Sequence, residues 1–447
     1  CLLSRGLGDV YKRQVIGIDL PYEQTYWKIA SLNEGVFPII STDKKVDEYF
    51  QEARLKNNLY ATYDPYVYSK ADVVIVDINL DIKKQWNANR EMSGFDVNLD
   101  GFKAAMTLIA SSCKEYILLL VESTVPPGMC EQVIKPIFES EFKKRGFSNS
   151  FRIGHSYERV MPGPNYIDSI QNFFRVYSGV DEESANATKK FLKTIINTDN
   201  YPLTRLHNTT ATEMGKVLEN SYRAMNIAFI QEWTEFAETA GVNLVEVITA
   251  IRKRPTHKNI MMPGLGVGGY CLTKDPLLAS WSSKNIFACK GLFQSEAAVS
   301  INDRMPNHTF NVINKMFGSD LKYKRLLLVG VSYLSDVGDT RFTPVEFLYD
   351  RLKEANASIV LFDPYVSYWE EKRVSVYSRF INIVKKDFDG IILCTGHSVL
   401  KENGEFLDYL LKVENNIIVD TLSFLTDQDI RKISKNNSIK VIGRGDF

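Results

Sequence analysis

The chain has 447 residues, with 54 Lys and Arg against 54 Asp and Glu, five His and six Cys. At roughly 150 residues per domain this length predicts two or three domains, and the zero formal charge excludes nucleic acid held by a global basic field. With 45% hydrophobic and 12% aromatic residues, the composition is that of an ordinary globular protein and excludes an acidic disordered polymer.

No apolar run reaches the roughly 20 residues of a membrane-spanning helix, so no membrane partner is expected. Cys1, Cys113, Cys130, Cys271, Cys289 and Cys394 are far apart and form no CxxC pair. That spacing, with scattered histidines, predicts reduced thiols in a cytoplasmic setting and no metal centre.

Residues 1–14 (CLLSRGLGDVYKRQ) begin without Met and read as adapter- or assembly-like sequence joined to a shortened gene; a natural extension is the alternative. Val15–Leu20 follows as a short strand candidate, and its Asp19 resembles the acid that holds ribose hydroxyls after a dinucleotide fold's second strand. In that fold the acid lies about 20 residues beyond a glycine fingerprint that itself follows the first strand. Only 18 residues precede Asp19, and Gly6 and Gly8 lack the third glycine. The first βα unit is therefore expected to be missing or replaced.

Asp72–Ile78 and Tyr116–Val121 are further strands, with a helical spacing over Leu99–Ser111 between them. This alternation predicts a parallel sheet with crossover helices. Over Ala211–Ala240 the period becomes that of a long amphipathic helix, with Met214, Val217, Leu218, Tyr222, Met225, Phe229 and Phe236 mostly three or four apart and Gly241 as its C-cap. A second alternation follows: strand Arg325–Val331, helix Pro344–Ala355, then strands Ser358–Phe362, Ile391–Thr395, Asn416–Asp420 and Lys440–Ile442. The expected class is α/β, with two Rossmann-like parallel-sheet domains joined by a helical middle.

The segment richest in chemistry runs from Pro263 to Pro276 (PGLGVGGYCLTKDP). Its glycines, Gly264 and Gly268 among them, would let backbone N–H groups approach an anion or sugar closely. Cys271 follows, with Lys274 and Asp275 close behind, and a thiol near a cation can act as a nucleophile. Taken alone, a cysteine after glycines is more often a small buried residue.

Read whole, this segment resembles the nucleophile loop of the UDP-glucose/GDP-mannose dehydrogenase family, and other stretches fall in that family's order. Glu122–Gly128 (ESTVPPG) is similar to its strand-end turn, and Ser156–Gly163 (SYERVMPG) resembles its SPERxxPG segment. Glu213, Lys216 and Asn220 stand as in its helical ExxKxxxN pattern, and Asp336–Pro344 (DVGDTRFTP) resembles its DxxDxRxSP segment.

The resemblance implies an NAD-dependent double oxidation of a nucleotide sugar's C6 alcohol to the acid, as a precursor for surface polysaccharide. It implies that Lys216 and Asp275 manage the hydroxyl proton through a shared water, and that Asn220, four residues from Lys216 on one helix face, helps hold the oxygen. Cys271 is implied as the nucleophile that passes through thiohemiacetal and thioester, with Glu158 and Thr124 handling the hydrolytic water. Ser123, Thr124, Lys274 and Arg341, with Asp19, are implied as cofactor contacts. Glu158, Arg159, Lys216, Asn220, Lys258, Gly264 and Gly268 are implied as contacts to the UDP-sugar.

The implied domains are an NAD-binding one over 15–199, a helical central one over 200–322 that carries the cysteine loop and dimerises, and a UDP-sugar domain over 323–447, with the active site between the two α/β domains. A homodimer is expected through the long helix. PGLGVGG with the C-terminal VIGRG resembles the branch acting on UDP-N-acetylhexosamines, whereas GYCL followed by Lys274-Asp275 is similar to some UDP-glucose enzymes. GDP-mannose enzymes and a non-catalytic sugar-nucleotide-binding protein remain alternatives, as does a hydroxyacid dehydrogenase needing no thiol. The chain departs from the family where Ile78-Asn79-Leu80-Asp81 replaces the VPTP turn, Tyr157 a proline and Leu334 a lysine.

Overall fold

The structure, a computed structural model, describes residues 13–38, 43–87, 92–160, 163–402 and 404–447. The expectations for residues 1–12, including the Gly6 and Gly8 turn, lie outside the described residues. The chain groups into two compact units, one holding residues 1–83, 96–218 and 281–291, the other 84–95, 219–280 and 292–447.

The first unit opens with β1 (Val15–Ile18), α1 (Glu23–Glu34), α2 (Lys44–Leu55) and β2 (Leu59–Thr62). β1 and β2 pair in parallel, Val15 opposite Leu59, as a sheet of their own. Next come β3 (Val73–Val76), then β4 (Ile82–Trp86) and β5 (Met92–Val97), whose residues 84–95 belong to the second unit, and α3 (Asp100–Ser112) and β6 (Leu118–Val121) of the first. A π-helical turn over Cys130–Ile134 leads into α4 (Lys135–Lys144), followed by β7 (Arg152–His155), α5 (Tyr166–Gln171), β8 (Val176–Gly179), α6 (Glu182–Leu192) and β9 (Thr204–Arg205).

The main sheet has the order β3-β6-β7-β8-β9, parallel throughout except for β7 against β8. Every residue of β6 is buried, which matches the unbroken apolar run expected of a strand covered on both faces. β4 and β5 form a separate two-stranded sheet that the alternation did not anticipate.

The helix α7 (Thr209–Thr239) belongs in part to each unit and ends at Gly241, whose φ of 71° provides the left-handed cap. After it come α8 (Leu244–Ile251), α9 (Asp275–Asn285), α10 (Phe293–Met316), β10 (Arg325–Val329), α11 (Pro344–Glu354), β11 (Ser358–Phe362), β12 (Tyr368–Trp369) and β13 (Val374–Ser375). β14 (Gly390–Leu393), α12 (Ser398–Glu402), α13 (Glu405–Lys412), β15 (Ile417–Asp420), α14 (Asp427–Ile433) and β16 (Ser438–Val441) complete the chain.

The second unit's sheet has the order β11-β10-β14-β15-β16, all parallel. Alternation along β10 divides its core: Leu326 and Leu328 pack with Val345, Leu348 and Trp369, while Leu327 and Val329 pack with Phe362, Ile391 and Phe406. Each such leucine, fully buried, contributes roughly 1.5–3 kcal/mol. Both faces being covered explains why the strand reads as a continuous apolar run. The architecture is the expected one, mixed α/β with two parallel-sheet regions and a helical middle.

Candidate active site

In the first unit, β3 and β6 end side by side, and the turn after β6 carries Ser123 and Thr124. Ser123 is buried; its hydroxyl donates to the Val76 carbonyl (3.1 Å) and accepts from the Ile78 amide (2.7 Å), so it ties the two strand ends together. The hydroxyl implied as a cofactor contact is thus engaged within the turn itself. Thr124 beside it is half-buried. Gly128 has φ of 92°, and a Cβ there would lie 2.9 Å from the Phe287 ring, so the turn needs glycine twice over.

Glu213 on α7 holds this turn. Its carboxylate accepts from the amides of Gly128 (2.6 Å) and Cys130 (2.8 Å) and is wholly buried. Two donors opening the helix at Met129 are therefore satisfied by a side chain 83 and 85 residues distant in sequence. Burial pushes the Glu213 carboxyl up to about 7, against the opposing pull of Cys130 and the two amides.

One turn along α7, Lys216 donates from Nζ to the carbonyl of Glu158 (3.0 Å). The Glu158 carboxylate accepts from the Val160 amide within its own loop. Tyr157, buried where the family has proline, places its ring 5.9 Å from the Lys216 ammonium and 5.2 Å from the Arg159 guanidinium. Its hydroxyl takes a hydrogen bond from Arg159 (3.2 Å), and a Cβ at Gly215 would lie 3.2 Å from that same oxygen. The absent side chain at Gly215 lets the tyrosine lie close against α7, next to Lys216. His155 Nδ1 lies 2.8 Å from the Thr212 hydroxyl, and burial lowers this histidine to about 3, so it is neutral at any working pH.

In the second unit, Asp275 begins α9 and is fully buried. Asn220 donates to its Oδ2 (2.6 Å) and Lys274 to its Oδ1 (2.8 Å). A buried carboxylate is tolerated when both oxygens are paired in this way. Lys274, 6% exposed, also lies 4.4 Å from the Tyr270 ring and is the counter-ion of Asp275.

Cys271 is exposed, and its carbonyl accepts from the Asp275 amide (2.9 Å). It stands one turn ahead of an eleven-residue helix, at the dipole end that favours negative charge.

The glycines before Cys271 serve packing. A Cβ at Gly266 would lie 2.8 Å from Pro344, at Gly268 2.7 Å from the Tyr333 Cβ, and at Gly269 2.8 Å from the Tyr333 ring. The loop from Val331 to Pro344 thus lies directly against the cysteine loop. Tyr333 has its hydroxyl pushed up by burial and then by the charges of Asp339 and Cys271. Arg341 is mostly exposed and chelates Asp339 of the same loop (2.6 and 2.9 Å), an arrangement that holds Asp339 below the usual carboxylate value against the pull of burial.

Of the residues singled out in the sequence, Lys216, Glu158 and Arg159 come together around Tyr157, and Asn220, Lys274 and Asp275 come together beside the Cys271 loop. Lys258 is exposed, and Gly264 is half-buried, with Thr421 the nearest neighbour a Cβ would meet. In the sequence Glu213 stands only as part of a pattern. Its role has no local signal, because its partners lie on a distant turn. Among the described residues no cluster of His, Cys, Asp and Glu could hold a metal, and no helix is long and apolar enough to cross a membrane.

A nicotinamide dinucleotide fits the first unit's strand ends in part. Asp19 is exposed just beyond β1, where a ribose-binding acid stands in such folds. The helix start at Met129 is closed to a phosphate, because Glu213 occupies its amides.

Comparison with known proteins gives the family. Residues 6–196 match the NAD binding domain of the UDP-glucose/GDP-mannose dehydrogenase family, residues 210–304 its central domain and residues 327–427 its UDP binding domain. A UDP-N-acetyl-D-mannosamine dehydrogenase of Methanocaldococcus jannaschii is 30% identical over 344 residues, covering 75% of this chain and 73% of the relative. Its namesake from Pyrococcus horikoshii is 27% identical over 436 residues, 97% of this chain and 94% of the relative. A solved UDP-D-ManNAc dehydrogenase structure from Pyrococcus horikoshii shares the fold, with a TM-score of 0.82 and 24% identity over 100% of this chain and 97% of that one. The chain belongs to the UDP-glucose/GDP-mannose dehydrogenase family, with NAD as its cofactor and a UDP-sugar as its substrate.

Proposed function

We propose that the chain oxidises the C6 alcohol of a UDP-N-acetylhexosamine to the carboxylate without releasing the aldehyde, supplying an acidic sugar nucleotide for surface polysaccharide. The names of both curated relatives support this sugar class. The observation that carries the chemistry is the exposed Cys271 one turn ahead of the doubly held, buried Asp275.

NAD, when bound, accepts a hydride from C6 at each of two oxidations. Lys216 and Asp275 remove the hydroxyl proton through an ordered water. The sulfur of Cys271 then adds to the aldehyde carbon and its proton passes to the oxygen, giving a thiohemiacetal. Loss of the second hydride and of the hydroxyl proton leaves a thioester on Cys271. Water positioned by Glu158 and Thr124 adds to that carbon, the C–S bond breaks, the thiol regains its proton and the acid leaves ionised. N–H donors of Lys216 and Asn220 stabilise the oxyanions along this path.

Asp19 would hold cofactor ribose, with Thr124 on the turn that Ser123 fixes from beneath, and Arg341 and Lys274 acting through the carboxylates they pair. Arg159, Lys258 and the amides of Gly264 and Gly268 would meet the sugar nucleotide.

The chain acts as a homodimer in the cytoplasm in this reading. Along α7, Tyr222, Phe229, Trp233 and Phe236 are 45–63% exposed, and the last three rings touch one another in sequence (6.1 and 5.9 Å between centroids). An open aromatic stripe of this kind calls for a cover, and a second copy of the same helix supplies one.

The test is NADH release against UDP-N-acetylhexosamines, UDP-glucose and GDP-mannose. Two NADH per acid, with the N-acetyl sugars preferred, is expected, whereas one NADH per product would overturn the mechanism. Cys271→Ser protein that forms acid at the normal rate would remove the thiol from it. UDP-sugar binding with no NAD binding in calorimetry would favour a non-catalytic protein.

A further inference from the structure

His397 was not singled out in the sequence, and it is completely buried. It follows β14, at the carboxyl edge of the second unit's sheet. Its Nδ1 lies 2.9 Å from the amide nitrogen of Asp336, which can only donate. Nδ1 is therefore the bare nitrogen and Nε2 carries the hydrogen, which it shares between Asp363 Oδ2 (3.1 Å) and the Ser332 hydroxyl (3.3 Å).

Asp363 in turn accepts from the amides of Val331, Ser332 and Tyr365 at 2.8, 3.2 and 2.8 Å. Asp336 answers with its own carboxylate, accepting from the Ser398 amide (2.8 Å) and hydroxyl (2.6 Å). It does so at φ 61°, a left-handed conformation that a non-glycine residue adopts only when its surroundings impose it.

These bonds fasten the first part of the loop after β10, at Val331, Ser332 and Asp336, to the turns after β11 and β14. That loop carries Tyr333, Phe342 and Pro344, the groups that the glycines before Cys271 were seen to accommodate. The Phe342 ring also packs on Tyr270, immediately before the cysteine (5.6 Å between centroids). The path from His397 to Cys271 is thus a single continuous set of contacts within one unit. Its far end, Cys271, is exposed, and a displacement of the loop would reach it directly.

We propose that His397 is a positioning residue for Cys271, acting through the Asp336 amide and the Val331–Pro344 loop. The proposal rests on Cys271 being the nucleophile. A sum of ordinary packing effects would be indifferent to which imidazole nitrogen is kept, whereas this arrangement is not. Asn at 397 places its carbonyl oxygen near the Nδ1 position and can still accept from Asp336. Gln places its amide nitrogen near the Nε2 position, can still donate to Asp363, and loses Asp336.

The experiment compares wild type, His397→Asn, His397→Gln and Cys271→Ser. Iodoacetamide labelling of the Cys271 peptide is followed by mass spectrometry, alongside acid formation with saturating NAD and nucleotide sugar. His397→Gln is expected to lower kcat about tenfold or more and to change the Cys271 labelling rate severalfold, because small misplacements of a reacting group cost that much. His397→Asn is expected to restore most of both, with the nucleotide-sugar KM alike in the two variants.

Equal behaviour of the Asn and Gln proteins, or labelling unchanged in both, would overturn the positioning role. Full acid formation by Cys271→Ser would instead overturn the nucleophile reading, whatever the His397 variants do. If either His397 variant fails to fold, Asp336→Gly carries the test. Glycine accepts φ 61° and keeps the amide for His397, but it removes the clamp on Ser398. Reduced acid formation with altered labelling is then expected, and wild-type values for both would reject the proposal.

Discussion

Glu213 and Asp363 do the same structural work in the two units, and they titrate in opposite directions. Each is fully buried and each uses its carboxylate to hold backbone amides of a turn beyond a strand end. Asp363 also faces the His397 ring, and that contact, with the amides, holds it below the ordinary carboxylate value although burial alone would raise it. Glu213 has only the two amides and the Cys130 thiol to oppose burial, and it rises to about 7. A buried acid's titration thus follows the donors that face it: three amides and the His397 ring for Asp363, two amides and a thiol for Glu213.

The comparison breaks most visibly at Asp363. Asp363→Ala would strand His397 and three amides in a dry site, and it is expected to cost about 3–5 kcal/mol in urea unfolding. A loss below about 1 kcal/mol would mean that the amides find other acceptors and that the two acids are not equivalent holders.

The pH dependence sharpens it next. Glu213 has a folded value of about 7 against an ordinary 4.5, so its stabilising contribution is complete below about 4.5 and is lost as pH rises through 7. That amounts to about 3 kcal/mol between pH 4.5 and 8. Glu213→Gln should flatten this part of the stability profile, and an unaltered slope would place the proton elsewhere. Asp363 contributes in the other sense: its share is present above 3.8 and is lost as pH falls through its lower folded value.

Gly268→Ala is a smaller disturbance, about 1–3 kcal/mol, because its Cβ must push Tyr333 and Pro344 apart. Slower acid formation should accompany the loss, and stability lost with acid formation intact would separate the loop's packing from the reaction. The exposed pair Lys56–Glu52 sets the baseline. Lys56→Ala should change the stability read from urea unfolding by less than about 0.5 kcal/mol, since exposed ion pairs of adjacent turns contribute little.

The alternation of strands and helices was legible because strands such as β6 and β10 are covered on both faces and so read as unbroken apolar runs. The long helix α7 was legible for a similar reason, its apolar period surviving over many turns even where its aromatics are exposed. α10 was not, because it contains Pro306 and is polar over much of its length. The two-stranded sheet of β4 and β5 escaped notice because its strands are largely polar and half-exposed.

At the site, Cys271 and Asp275 could be singled out because their spacing is local. The close packing of Gly266, Gly268 and Gly269 against Tyr333, Pro344 and Pro306 was not legible, because those bodies are brought there by a fold that no local pattern encodes. Glu213 and His397 stayed hidden for the same reason. For His397 a faint signal existed in two strand-end segments, Asp363-Pro364 and Thr395-Gly396-His397, at the carboxyl edge of parallel neighbours of one central strand.

The unbroken helix α7 also limits how this protein can vary over generations. One residue inserted between Glu213 and Lys216 would turn Lys216 by about 100° about the helix axis relative to Glu213. Lys216 would swing off the Glu158 carbonyl while Glu213 kept its hold on the Gly128 and Cys130 amides. Loops elsewhere can lengthen or shorten at little expense, but this three-residue interval is a gauge that forbids insertion or deletion.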